Sequence, residues 1–180
     1  MGKVLDQLDD DLIRWIGRQH LFFVATAPDD GGHVNLSPKG LDSFRVIDPS
    51  TVAYLDLTGS GVETIAHLRQ NRRMTIMFCA FSGPPQILRL FGEGEVVQVG
   101  QPGYVEAAAG FPDLVGARAV ITLHVERIQT SCGYAVPKMD FVEDREVLTR
   151  WAERKGDEGL TQYREQKNLV SIDGLPGLDP

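Results

Sequence analysis

Between residues 21 and 57 the chain carries four short apolar or alternating segments, LFFVATA, HVNLSPKG, FRVID and TVAYLDL, separated by only a few residues each. A parallel crossover needs a dozen or more residues, so these links permit antiparallel pairing alone. The Asp-Asp-Gly-Gly of 29–32 and the Pro49-Ser50 pair are turn chemistry at two of the tight links. Such crowding of hairpins points to a mainly β fold.

The period changes after residue 61. In VETIAHLRQN, Val62, Ile65, Ala66 and Leu68 gather towards one side, with Glu63 at the start and Arg69, Arg72 and Arg73 at the end, the polarity a helix dipole favours. Strand character returns in RMTIMFCAF (73–81) and in the long QILRLFGEGEVVQV (86–99), whose Gly92 and Gly94 suggest a bulge or barrel corner. A short helix is expected around 104–109. ARAVITLHVERIQT (117–130) then alternates cleanly, Ile121, Leu123 and Val125 on one face and Thr122, His124 and Glu126 on the other.

Leu5, Leu8, Leu12, Trp15 and Ile16 recur at helical spacing, so residues 1–19 are expected as an N-terminal helix. Residues 138–180 read as a charged helix to about Gln166 followed by a loop tail. The reading is one domain over 1–180, with a barrel at 20–137 between the two flanking helical segments. Strand number, glycine corners and the single helix between the fourth and fifth strands favour a small antiparallel barrel.

Composition narrows the partners. Net charge is −7, with eighteen Lys and Arg scattered among twenty-five Asp and Glu, so no basic stripe is available for nucleic acid. The start of the chain is acidic and amphipathic rather than a signal peptide, and charge or glycine breaks every apolar run well short of a membrane span. A cytoplasmic protein without membrane contact is expected. Cys79 and Cys132 lack CxxC spacing, and His20, His33, His67 and His124 are isolated, so neither a disulfide nor a metal site is expected. Cys79 reads as a core thiol.

Two segments carry the candidate chemistry. In LTGSGVET a strand ends in Thr58-Gly59-Ser60-Gly61 and a helix begins at once, with Glu63 and Thr64 in its first turn. Glycines let backbone approach a ligand, and first-turn N–H groups are unsatisfied donors at a dipole's positive end. The plainer alternative is that Ser60 caps the helix. In NLSPKG, alternation puts Asn35, Ser37 and Lys39 on one strand face, which is either a solvated face ending in a turn lysine or the cationic wall of an anion site. Arg89, between Ile87 and Phe91 on an otherwise apolar stripe, is the third candidate; its alternative is a surface arginine with a buried stem. No catalytic acid or base is assigned from these residues; Arg89 and Tyr134 would be guesses for such a role.

In order and spacing, FFVATA, HVNLSPKG, TVAYLDLTGSGVETIAHLRQNRRMTIMF, QILRLFGEGEVV and ITLHVERIQTSCGYAVP resemble the pyridoxamine 5′-phosphate oxidase-like family of FMN-binding split barrels. The resemblance covers most of 20–137. It implies a six-stranded antiparallel split β-barrel that dimerises with itself, with FMN at the subunit interface. It also implies that Ser37, Lys39, Thr58, Ser60, Gly61 and Thr64 hold the FMN phosphate and that Arg89 of the other subunit lies near the isoalloxazine ring; Asn35, Gly59 and Glu63 complete the expected cofactor-binding set. The implied activity is that of an FMN-dependent oxidoreductase exchanging a hydride with an unidentified small organic substrate. A non-catalytic flavin-binding or stress-associated protein and a deazaflavin-dependent reductase are the alternatives, and relatives on this fold also bind haem. SPKG, GSGVE and the acidic helical tail depart from the arginine-rich strand, Ser-Arg-Lys turn and C-terminal Arg-x-His of the vitamin-forming oxidases, which argues against pyridoxamine phosphate as the substrate.

Overall fold

A computed structural model of the chain describes residues 2–180. Its elements in order are β1 (Val4–Leu5), α1 (Asp10–Ile16), β2 (Phe22–Thr26), β3 (Asn35–Lys39), β4 (Phe44–Asp48), β5 (Thr51–Leu57), α2 (Glu63–Asn71), β6 (Arg73–Cys79), β7 (Ile87–Gln98), α3 (Tyr104–Ala108), β8 (Ala117–Ser131) and α4 (Val147–Lys167). All strand pairs are antiparallel, and the ladder runs β3-β2-β6-β7-β8-β5-β4 with β1 added beside β8. Its two end strands, β3 and β4, follow one another in the chain yet do not pair with each other. The sheet therefore curls without closing, a split barrel with flanking helices. Seven strands lie along the path rather than the six expected, because β3 and β4 both hydrogen-bond at its ends.

The N-terminal helix is shorter than its apolar spacing suggests. Asp9 is extended (ψ 168°) and its side chain accepts the Leu12 N–H at 2.8 Å, which fixes the helix start there. The preceding residues instead pair with β8, Val4 opposite Gln129. Leu8 still reaches the core, so the apolar spacing marked burial correctly and helix extent wrongly. α2 also begins differently from the capping alternative: Val62 is the N-cap residue and no side chain caps the helix.

The core fills the barrel with Val24, Tyr54, Ile76, Leu88, Leu90, Ile121 and Leu123, and α2 covers one side through Ile65 and Leu68. A smaller cluster of Ala53, Leu55 and Val120 lies on the other side of β5 and β8, under α3. Cys79 is buried as expected, and Cys132 is exposed. α4 is interrupted at Gly156 (φ 62°), beyond which it leads to a tail pinned by a Val170–Pro176 bridge and by burial of Leu178.

Two irregularities shape the barrel. The β7–β8 register shifts between Phe91 and Gly92, where a Cβ on Gly92 would stand 1.9 Å from the His124 carbonyl oxygen. The paired glycines thus mark a bulge and a close approach, since Gly94 makes room for the Leu68 side chain of α2. Gly92→Ala is expected to lower unfolding stability by roughly 1–3 kcal/mol, the usual cost of forced overpacking. Gly110→Ala, where nothing lies within 4 Å, should leave it nearly unchanged. Urea midpoints of the two variants check this.

Candidate functional site

Register sorts the candidate residues onto two faces. Lys39 stands opposite Phe22, which stands opposite Phe78, which stands opposite Leu88, so Lys39 lies on the interior face. Pro38, Phe23, Met77 and Arg89 form the next row, on the exterior face. Asn35, Ser37 and Lys39 therefore turn inwards, and the solvated-face reading of β3 is wrong: the exposed side is the apolar one, with Val34 and Leu36 75% and 63% exposed.

Lys39 is held by a carboxylate that the sequence did not advertise. Its Nζ donates to Asp56 Oδ1 at 2.9 Å, and Arg118 Nε donates to Asp56 Oδ2 at 2.7 Å. Asp56 and Arg118 are buried, whereas the Lys39 side chain keeps 22% exposure and lines a cavity of about 460 Å³ with Leu55, Leu57, Thr58 and Gly59. Burial pushes the Asp56 carboxyl up, but the Lys39 and Arg118 charges outweigh it and hold the group below its ordinary 3.8. Two cations thus share one anion, so the cluster itself carries one net positive charge, while Glu143, Asp144 and Arg145 line the same cavity.

Arg118 owes its position to a bulge. The β5–β8 register shifts between Asp56, opposite Ala119, and Leu57, opposite Ala117, so Arg118 is the extra residue. Strict alternation would aim it away from Asp56; the bulge turns it inwards. Its Nη2 also donates to Gly61 O at 2.8 Å. The Gly59 carbonyl accepts from Asn168 Nδ2 at 2.9 Å, and Thr58 Oγ1 accepts from Arg164 Nε at 2.9 Å while donating to Gly116 O. Arg164 donates to neutral acceptors, and burial, then Arg118, lowers its pKa from the ordinary arginine range without removing its charge.

The rest of the inner β3 face is a closed polar chain. Ser37 donates to Asn35 Oδ1 at 2.9 Å, and Asn35 Nδ2 donates to Thr64 Oγ1 at 2.9 Å and Thr26 Oγ1 at 3.1 Å. Thr26 Oγ1 lies 2.9 Å from Nδ1 of fully buried His67. Whichever ring nitrogen carries the proton, the buried His67 Nε2 has no partner. Burial lowers the His67 pKa below 6.5 against the opposing pull of Asp173 and Glu63.

The sequence candidates divide accordingly. Asn35, Ser37, Lys39, Thr58, Gly59, Gly61 and Thr64 are linked through these bonds to one region at the mouth of α2. Ser60 is exposed there and caps nothing. Glu63 turns towards the tail, accepting the Ile172 N–H at 3.3 Å. Arg89 lies on the opposite sheet face, bonded to Ser131 Oγ at 3.2 Å, and the fold of one chain does not bring it to Lys39. Tyr134 is 82% exposed. Asp56, Arg118, Arg164 and Asn168 were missed. Among the described residues no cluster of metal-binding side chains occurs, and no helix is long and apolar enough to cross a membrane.

The Lys39 ammonium, the hydroxyls and the glycine turn are groups that can hold a phosphate ester. Comparison with known proteins agrees with the architecture. The family model of pyridoxamine 5′-phosphate oxidase matches residues 8–132. The pyridoxamine 5′-phosphate oxidase family protein ustO of Aspergillus flavus is 48% identical over 96% of this chain and 76% of its own length. Among solved structures, HupZ of Group A Streptococcus is 30% identical at a TM-score of 0.53, over 67% of this chain and 91% of that one. An FAD-binding protein of Mesorhizobium loti shares the fold at 12% identity and a TM-score of 0.50, over 72% of this chain and 96% of its own. The matched segment ends before α4, so Arg164 and Asn168 approach the glycine turn from outside it. By sequence and by fold, the chain belongs to the pyridoxamine 5′-phosphate oxidase family.

Proposed function

We propose that this protein binds FMN and serves as a flavin-dependent oxidoreductase for a small organic substrate. The observation that carries the reading is Lys39, whose ammonium opens on the cavity while Arg118 offsets the charge of their shared Asp56. Lys39 has three donor hydrogens, and one is committed to Asp56, so two remain for phosphate oxygens. A bound flavin would supply the hydride chemistry; the chain supplies binding, orientation and exclusion of water. Family membership and the FAD-binding relative on this fold support a flavin, and the Lys39 ammonium on the cavity wall supports one that ends in a phosphate.

The reading includes a homodimer. The exterior face carries exposed Leu36 and Val34 beside Phe23, Met77 and Phe91, with Arg89 among them. Placing Arg89 near a ring whose phosphate sits at Lys39 requires a second copy, since the two residues lie on opposite faces of one sheet. A two-fold interface would meet that need and cover the apolar face. Light scattering should give about twice the 19.9 kDa chain mass, and Leu36→Asp should shift the protein towards monomer. A wild-type monomer at micromolar concentration would remove the dimer.

For the cofactor, Lys39→Ala should weaken FMN binding about ten-fold to a hundred-fold, as expected for a charge-assisted hydrogen bond of about 1.5–3 kcal/mol. Riboflavin, which lacks the phosphate, should bind both proteins alike. The apo form should also lose about 1–3 kcal/mol, because Asp56 keeps only Arg118 as a partner. Fluorescence quenching of FMN and riboflavin tests the assignment, and equal FMN affinity in the two proteins would sink it. Anaerobic bleaching of the bound flavin by NADH or NADPH would support the oxidoreductase.

A further inference from the structure

We infer that Arg118 is the positioning residue that makes the candidate phosphate site competent, acting through Asp56 and through the Gly59–Gly61 turn rather than by touching the ligand. The inference rests on the phosphate-site reading above and deepens it. Three features of the structure support it.

The first is charge. Without Arg118, Asp56 would sit 2.9 Å from the Lys39 ammonium with no other cation bonded to it, and the pair would be neutral overall. Buried carboxylates interact strongly with nearby charges because little water screens them. With Arg118 at 2.7 Å, the three groups together keep one positive charge, and its most exposed carrier is Lys39.

The second is backbone orientation. The Gly61 carbonyl points at Arg118 Nη2, at 2.8 Å, and the Gly59 carbonyl points at Asn168 Nδ2, at 2.9 Å, with Arg118 Nη1 at 3.5 Å. All peptides are trans, and in a planar trans peptide the N–H opposes the C=O. The Ser60 and Val62 N–H groups therefore face away from these donors, at a turn where Ser60 and Gly61 are exposed, Val62 is buried and the Glu63 carboxylate lies beside Gly61. The third is burial: the Arg118 side chain is only 5% exposed, so it is fixed behind the turn and cannot itself reach a ligand in the cavity. A single guanidinium fork thus couples Lys39 on β3 to the turn before α2, which a point-charge ammonium could not do.

The test compares Arg118→Gln, Arg118→Lys and wild type by three measurements on the full chain. Arg118→Gln should bind FMN at least ten-fold more weakly while riboflavin affinity changes less than two-fold. Arg118→Lys should fall between the two, because it keeps the charge and loses the fork. Titration of wild type with inorganic phosphate should move the backbone amide resonances of Ser60 and Val62, and in Arg118→Gln those shifts should shrink by more than half. An Arg118→Gln protein that folds and keeps the wild-type FMN-to-riboflavin ratio would overturn the inference, as would wild-type amides that ignore phosphate. Should Arg118→Gln fail to fold, Arg118→Lys carries the same test; an FMN-selective loss of affinity with reduced Ser60 and Val62 amide shifts supports the inference, and wild-type values of both overturn it. Amides that respond to phosphate in a protein that does not bind FMN would leave Arg118 in this role and remove the cofactor assignment alone.

Discussion

A single buried carboxylate organises the functional end of this barrel. Asp56 lies inside the fold at 1% exposure and is tolerable there only because Lys39 and Arg118 reach it from two other strands. An unpaired carboxylate in that position would lose several kcal/mol of hydration. The requirement ties β3, β5 and β8 together where the ladder itself leaves a gap, since β3 and β4 do not pair and β3 is otherwise held by β2 and the Asn35–Thr64 bond. The ion cluster therefore holds the open end of the split barrel and presents a cation to the adjoining cavity.

The two faces of the same strands then have different tasks. Inward, β3 carries Asn35 and Ser37 into a hydrogen-bonded chain that reaches Thr64 and, through Thr26, His67, and it carries Lys39 to Asp56. Outward, it carries Leu36 and Pro38, which with the preceding Val34 are exposed among the described residues. Strand alternation alone produces this division. The C-terminal segment adds a second layer, with Arg164 on Thr58, Asn168 on Gly59 O and Asp173 bonded to the His33 backbone N–H at 2.8 Å. The tail thus braces the glycine turn from behind and the β2–β3 hairpin from the side.

Much of this was legible in the residues. The hairpin links dictated antiparallel pairing, the β7 glycines marked a bulge, and NLSPKG and LTGSGVET converge as their patterns suggested. What stayed hidden follows from specific physics. Asp56 sits in the apolar run TVAYLDL, where nothing in the sequence separates a paired interior carboxylate from an exposed one. Arg118 was hidden by the alternation that located its neighbours, because one bulge reverses its direction. Arg164 and Asn168 come from a helix and tail whose docking depends on contacts over a hundred residues away, which no local period encodes. The polar face of β3 was seen but assigned to solvent as one alternative, since alternation reveals that two faces differ and not which one is inside.

The central claim is that a phosphate monoester sits against the Lys39 side of the Asp56 cluster, and phosphorus NMR of FMN added to the purified protein tests it most directly. A free phosphate monoester takes up its second proton near pH 6, at about the value expected for any unpaired group of this kind. Held by Lys39 and the turn amides, the phosphate should stay dianionic, so the bound resonance should remain at its dianion position from pH 7.5 down to about pH 5. A bound resonance that titrates with the same midpoint as free FMN, or no bound resonance at all, would contradict the account.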